Sequence, residues 1–388
     1  MMEHVMHGEQ AAAQMGHGPK HGPNHGASPG PAKVLEDGSP CCRLIAWEVT
    51  RSCNLACKHC RAEAHPEPYP GELTTKEALE LIKTFPEVGR PIVIFTGGEP
   101  TLRPDLCELI RAAHDLGLTC ACAPNGTRLS PELALALKSS GVSRCSISLD
   151  GADAASHDAF RGVEGAFAGA IRGIEYLKEV GLPFQINTTV TRANLHSFRS
   201  IFDLCERLGA SAWHIFLLVP MGRAKGLKDQ VISAEEYEEV LNWFYDFRST
   251  TKMHLKATCA PHYYRIMRQR AHAEGRAVNV ENFGLDALTR GCLGGTGFCF
   301  ISHTGQVQPC GYLELACGQV REKPFPEIWR TSSYFREFRT QSVYEGKCGV
   351  CEYHKFCGGC RARAMSLTGS HLAPEPLCTY IPRALRGG

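Results

Sequence analysis

Between residues 43 and 218 the chain repeats one unit: a short apolar run of β type, then an amphipathic helical pattern. The runs are RLIAWEV, PIVIFTGG, LTCACAP, CSISLDG, FQINTTV and AWHIFLL. Between them lie TTKEALELIKTF, DLCELIRAAHDLG, SPELALALKSSG, GAFAGAIRGIEYLKEVG and ANLHSFRSIFDLCERLG. Several of these stretches open on a Ser or Thr cap and close on Gly, the local start and stop signals of helices. Near-continuous apolar strands separated by helix-length crossovers belong to parallel sheets. The sequence therefore predicts an α/β fold, a partial (β/α)6 barrel of TIM type. In such a barrel chemistry sits where strands end and loops begin. After about residue 250 the repeat stops, and 290–380 is dense in Gly, Cys and turn residues. That segment reads as a small domain stapled by metal. The expected units are a tail over 1–40, the barrel over 41–255 and a Cys-rich domain over 256–388. The tail, GHGPKHGPNHGASPGP at its centre, cannot bury a core and is expected to be disordered.

Twenty cysteines in 388 residues point to the chemistry. No apolar run approaches the ~20 residues a bilayer span needs, and the N-terminus has no signal-type apolar stretch. A cytoplasmic chain with reduced thiols is expected. A net charge of +2 gives no reason to expect a nucleic-acid partner. Reduced, clustered cysteines argue for metal. Cys107, Cys120, Cys122, Cys145 and Cys205 stand singly in apolar patterns and read as small buried hydrophobes. Two groups do not. TRSCNLACKHCRAEAH puts Cys53, Cys57 and Cys60 directly after the first strand. Zinc and ordinary iron–sulfur sites want four protein ligands, so a fourth comes from elsewhere or its place is left open. Farther on, Cys292 is followed by twelve residues, Gly305, four residues and Cys310. CGVCEYHKFCGGC then supplies Cys348, Cys351, Cys357 and Cys360, with Cys378 beyond.

C-x3-C-x2-C in a loop after the first barrel strand resembles the signature of radical S-adenosylmethionine (radical SAM) enzymes. The resemblance implies that three thiolates hold three irons of a [4Fe–4S] cluster. The fourth iron chelates SAM, whose reductive cleavage yields a 5′-deoxyadenosyl radical. His59 is the bulky residue expected before the third cysteine. FTGGEP, with Gly97, Gly98, Glu99 and Pro100, matches the motif for the SAM amino group, where bare backbone approaches closely. Asn125 in APNGT, Ser148 in SISLDG, Arg161 in HDAFRG and Asn187 in INTTV complete the expected SAM set, Arg161 toward the carboxylate. The C-terminal pattern resembles the SPASM extension, which carries auxiliary [4Fe–4S] clusters. It implies one cluster on Cys348, Cys351, Cys357 and Cys378, and a second on Cys292, Cys299, Cys310 and Cys360. Two residues separate Cys357 from Cys360 where the common motif has three. Spacing alone leaves a zinc ribbon open.

The wording LIAWEVTRSCNLACKHCRAEAH, FTGGEPTLRPDL, KATCAPHYYRIMRQRA and CGGCRARA resembles radical SAM proteins of heme pathways, over 41–382. Within them it is similar to the alternative heme synthase family. That implies Fe-coproporphyrin III as substrate, with two propionates decarboxylated to vinyl groups to give protoheme. It also implies a low-potential electron donor of flavodoxin or ferredoxin type. HYYRIMRQR offers His262, Tyr263, Tyr264 and Arg265 to a porphyrin face and its carboxylates; a solvated amphipathic helix is the other reading of the same stretch. Enzymes of heme d1 type, SPASM peptide maturases and a non-enzymatic Fe–S carrier are the alternatives. A carrier has no use for SAM-type motifs at successive strand ends.

Overall fold

The computed structural model describes residues 34–340 and 343–386. The tail expected over 1–40 therefore lies outside the described residues up to 33. Residues 34–40 form a turn closed by a bridge between Val34 and Pro40. The Trp329 indole donates to the Pro40 carbonyl at 2.8 Å, and Asp37 pairs with Arg330 at 3.3 Å. Residues 34–40 thus pack on the folded unit, ahead of the expected boundary at 41.

Ten strands make one sheet: β1 (Leu44–Thr50), β2 (Ile92–Gly97), β3 (Thr119–Cys122), β4 (Val142–Ser148), β5 (Phe184–Val190), β6 (Ala212–Leu217), β7 (His254–Thr258), β8 (Phe298–Ile301), β9 (Gln306–Gln308) and β10 (Gly318–Gln319). Their order is β10-β9-β8-β1-β2-β3-β4-β5-β6-β7. β1 to β7 are parallel to their neighbours, as the alternation predicts. Two features differ from the expectation. The repeat continues into a seventh unit, β7 and the helix His262–Ala273, so the expected boundary at 255 falls inside a strand. HLKAT is short and alternates polar with apolar, so it carries no continuous apolar run to read. The Cys-rich segment is also not a separate lobe. Its first strand, β8, lies parallel to β1 with Leu44 opposite Phe298 and Trp47 opposite Ile301.

Strand alternation gives the sheet two unlike faces. Ile45, Trp47, Val93, Phe95, Cys120, Cys122, Cys145, Ile147, Ile186, Trp213 and Ile215 are fully buried. They form the layer under the helices. The opposite face lines the barrel lumen. It carries Glu48 on β1, Thr96 on β2, Arg144, Ser146 and Ser148 on β4, and Gln185 and Asn187 on β5. His214 on β6 and Lys256 on β7 complete it. Ser148, Asn187, His214 and Lys256 sit at one level across four strands. Arg144, Ser148, Asn187, His214 and Lys256 on this face are only half-buried, unlike the residues of the outer layer.

Candidate functional site: a thiolate triad and two thiolate groups around the lumen

The loop after β1 is held on three sides. Cys53 N–H donates to the His65 carbonyl at 2.9 Å. Ala56 and Lys58 N–H donate to the Arg161 and Phe160 carbonyls, at the end of the helix Ala154–Arg161. After β6, Arg223 donates to the carbonyls of Cys57 and Ala64, both at 2.8 Å. A Cβ on Gly222 would overlap the carbonyls of Cys60 and Arg61, so only glycine fits beside the loop. Sequence reasoning did not reach Arg223 or Gly222, because their partners lie some 160 residues away.

Cys53 and Cys57 are buried and Cys60 half-buried, all in one small cluster. Burial pushes the Cys53 thiol up to about 12 and raises Cys57 as well. Such thiols ionise when a cation takes the charge. Nitrogen donors already face them: Leu55 N–H to Cys53 Sγ at 3.4 Å and Arg161 Nη1 to Cys57 Sγ at 3.6 Å. Among the described residues no three His, Cys, Asp or Glu side chains converge as the ligands of one ion do. In a four-iron cube each thiolate ligates a different iron, so three nearby soft donors with N–H groups aimed at sulfur fit that group.

The expected SAM residues fall into two sets. Ser148 and Asn187 are paired in register on the lumen face near the strand ends. His59 stacks on Phe160 at 4.3 Å, and burial holds it neutral at about 4. The others have protein partners. A Cβ on Gly97 would overlap the Thr50 carbonyl, and one on Gly98 those of Arg51 and Ser52. These glycines let β2 close against the triad loop. The buried Glu99 carboxylate accepts from Thr101 at 3.0 Å and from Asn125 N–H at 2.6 Å. Pro100 is buried and opens the next short helix. Asn125 donates to Asn54 at 2.8 Å, tying the third strand's loop to the triad loop. Arg161 is ion-paired with Asp150 besides touching Cys57.

Cys348, Cys351, Cys357 and Cys378 line one pocket, together with His262 and Arg265. Arg361 reaches Cys348 Sγ at 3.6 Å, and Glu375 N–H donates to the same sulfur at 3.3 Å. Gly359 N–H donates to Cys357 Sγ at 3.5 Å. The structure brings the four cysteines of this expected set together. It does not do so for the second set. Cys299 faces the outer layer of β8, where its free thiol is hydrogen-bonded with the free thiol of Cys42 and lies beside Cys317. Strand alternation puts it on the wrong face of the sheet for a lumen ligand. Cys259 lies with Cys310 and Cys360 instead. The Cys259 thiol donates to Cys360, which holds Cys360 down and pushes Cys259 up, and Cys310 lies in the same cluster. Cys292 bears on Cys310 and Cys360. Cys259 follows β7 with a φ of 54°, and its carbonyl accepts from Tyr237 and Arg363, each at 2.9 Å. The signal was KATCAP, a cysteine at a strand end, hidden because the repeat seemed to stop before it. Tyr312 lies near both ends of the site: the charges bearing on its hydroxyl are those of Cys259, Arg61, Cys310 and Cys60.

Residues 47–205 match the Radical SAM superfamily, and residues 292–361 match an iron-sulfur cluster-binding domain, SPASM. A protein of Nitratidesulfovibrio vulgaris named AdoMet-dependent heme synthase is 73% identical over 91% of this chain and 96% of its own. The chain belongs to the AdoMet-dependent heme synthase family. A member from Methanosarcina barkeri is 51% identical over 88% of this chain and 97% of its own. The fold is shared more widely. SuiB of Streptococcus suis, solved bound to the precursor peptide SuiA, superposes with a TM-score of 0.67 at 17% identity, over 88% of this chain and 76% of that one.

For this heme synthase family member, one expectation about the substrate is corrected. The helix His262–Ala273 is not solvated at its first turn. His262, Tyr263, Tyr264 and Arg265 are each 3% exposed or less. Arg265 pairs with Glu238 at 2.8 Å and, with His262, faces the thiolate pocket. Tyr264 donates to Asp286 and accepts from Lys256, both at 3.2 Å. Tyr263 accepts from Arg248. Polar residues on this helix are buried by tertiary packing, which the local pattern cannot show. Among the described residues no helix is long and apolar enough to cross a membrane.

Proposed function

We propose that this chain converts Fe-coproporphyrin III to protoheme by oxidative decarboxylation of two propionates. The observation that carries the reading is the triad at the mouth of a polar lumen, with two further thiolate groups on its C-terminal side. When bound, the cluster and SAM supply a hydrogen-abstracting radical, and an auxiliary cluster supplies an acceptor for one electron. For each propionate, a hydrogen atom leaves the β-carbon, the Cα–carboxylate bond breaks, and CO2 and one electron depart to leave a vinyl group. Cys53, Cys57 and Cys60 would hold the first cluster, with Arg161 and the Leu55 N–H as donors to its sulfurs. The nearby Ser148 and Asn187 would contact SAM. Cys348, Cys351, Cys357 and Cys378 would hold one auxiliary cluster. Cys259, Cys292, Cys310 and Cys360 would hold the other. Tyr312, set between Cys60 and the Cys259 group, would lie against the substrate on the electron's way out. A low-potential flavodoxin or ferredoxin-like protein would feed the first cluster.

The test is anaerobic incubation of the reconstituted protein with Fe-coproporphyrin III, SAM and a reductant, read by mass. The expected products are protoheme and 5′-deoxyadenosine. Cleavage of SAM with the porphyrin returned unchanged would overturn the substrate assignment.

A further inference from the structure

We propose that Arg144, Lys256 and His214, inside the barrel lumen, form the seat for the substrate carboxylates that are not removed. This rests on the tetrapyrrole reading above. Arg144 on β4, His214 on β6 and Lys256 on β7 all belong to the lumen face, opposite the buried Cys145, Ile215 and Leu255. All three are half-buried. Among the described residues Arg144 has no carboxylate or hydrogen-bond partner. His214 takes a hydrogen bond at Nδ1 with Gln185 at 3.0 Å, while its buried Nε2 has none. Lys256 donates to Tyr264.

The charges around the group are one-sided. His254, Lys256 and Arg144 bear on His214; Arg43 and Asp286 bear on Lys256; Arg248, Asp286, Lys256 and Arg144 bear on His254. Asp286, the carboxylate among them, is already taken by Arg248 at 2.7 Å and by Tyr264. Gathering cations in a half-dry space without anions is unfavourable, and burial accordingly lowers Arg144, Lys256 and His214 alike. Side chains held this way inside a cleft mark a binding site for the opposite charge. The depth also fits. His214 and Lys256 lie level with Ser148 near the strand ends, and Arg144 lies four residues below, roughly 13 Å along its strand. A rigid, disc-shaped tetracarboxylate with one edge at the triad would meet His214 and Lys256 near the level of Ser148 and reach Arg144 with a carboxylate farther down the lumen.

The inference is tested by titrating Fe-coproporphyrin III into the reconstituted protein and following the porphyrin's absorbance. Arg144→Gln and Lys256→Gln are each expected to weaken binding about ten- to a hundredfold, the scale of one lost charge-assisted hydrogen bond. SAM binding and cluster absorbance report on folding. The tetramethyl ester of the same porphyrin is expected to bind the parent weakly and to be indifferent to Arg144→Gln. Parent-like binding of the tetra-acid by both variants would overturn the carboxylate seat, as would equal losses for acid and ester. A parent protein that binds SAM but not Fe-coproporphyrin III would instead remove the tetrapyrrole reading, and this inference with it.

Discussion

Two thiolate groups flank the lumen, and they are built in opposite ways. The triad Cys53, Cys57 and Cys60 comes from one loop of eight residues. The group Cys259, Cys292, Cys310 and Cys360 is drawn from four separate segments and closes only when the barrel and the Cys-rich segment share a sheet. The first is a local object anchored from outside by Arg223 and by the end of the helix Ala154–Arg161. The second is an object of the tertiary structure. A local site should lose function when a ligand is removed yet keep its surroundings. A dispersed site should be sensitive to whichever segment brings its ligands together.

The largest effect is expected at the triad. Cys57→Ala should abolish 5′-deoxyadenosine formation while far-ultraviolet circular dichroism stays that of the parent; activity near the parent rate would break the contrast at its root. Next is the buried link between the two halves. Glu48 is fully buried and binds Arg61 at 2.7 Å, His303 at 2.8 Å and Arg51 at 3.0 Å. These charges hold its carboxyl far below the usual range despite burial. Glu48→Gln leaves buried cations without their anion, and a loss of about 3–5 kcal/mol is expected in denaturant unfolding.

A sharper comparison sets Cys259 against Cys299. Cys259→Ala should lower iron by about four atoms per chain, one [4Fe–4S] unit, while Cys299→Ala keeps full iron. The reverse result would restore the ligand set expected from spacing alone. The smallest effect belongs to the surface link between the same halves, Glu77 with Arg321 at 2.6 Å. This pair and the cap on Thr74 hold the half-buried Glu77 down at about 2. Its contribution is therefore present above the ordinary value near 4.5 and lost as pH falls toward 2. Glu77→Gln is expected to cost at most about 1 kcal/mol at neutral pH, since solvent screens the pair. A loss as large as that of Glu48→Gln would show that exposure does not separate the two links.

The sequence by itself determined the parallel barrel, the triad and the auxiliary pocket of Cys348, Cys351, Cys357 and Cys378. Each rests on near neighbours in the chain: the period of apolar residues, or cysteines spaced a few residues apart. It did not determine where the repeat ends, because β7 is too short to carry an apolar run. It did not determine which cysteine completes the second group, because Cys299 and Cys259 differ only in the sheet face and strand end they occupy. Nor could it show that Glu99 and Asn125 clasp the protein's own backbone. The positions of Arg144, His214 and Lys256 were equally hidden, since each is a lone polar residue in its own strand. Register across parallel strands sets His214 and Lys256 level with Ser148 while Arg144 lies deeper on its own strand, and register is fixed by packing between residues far apart in the chain.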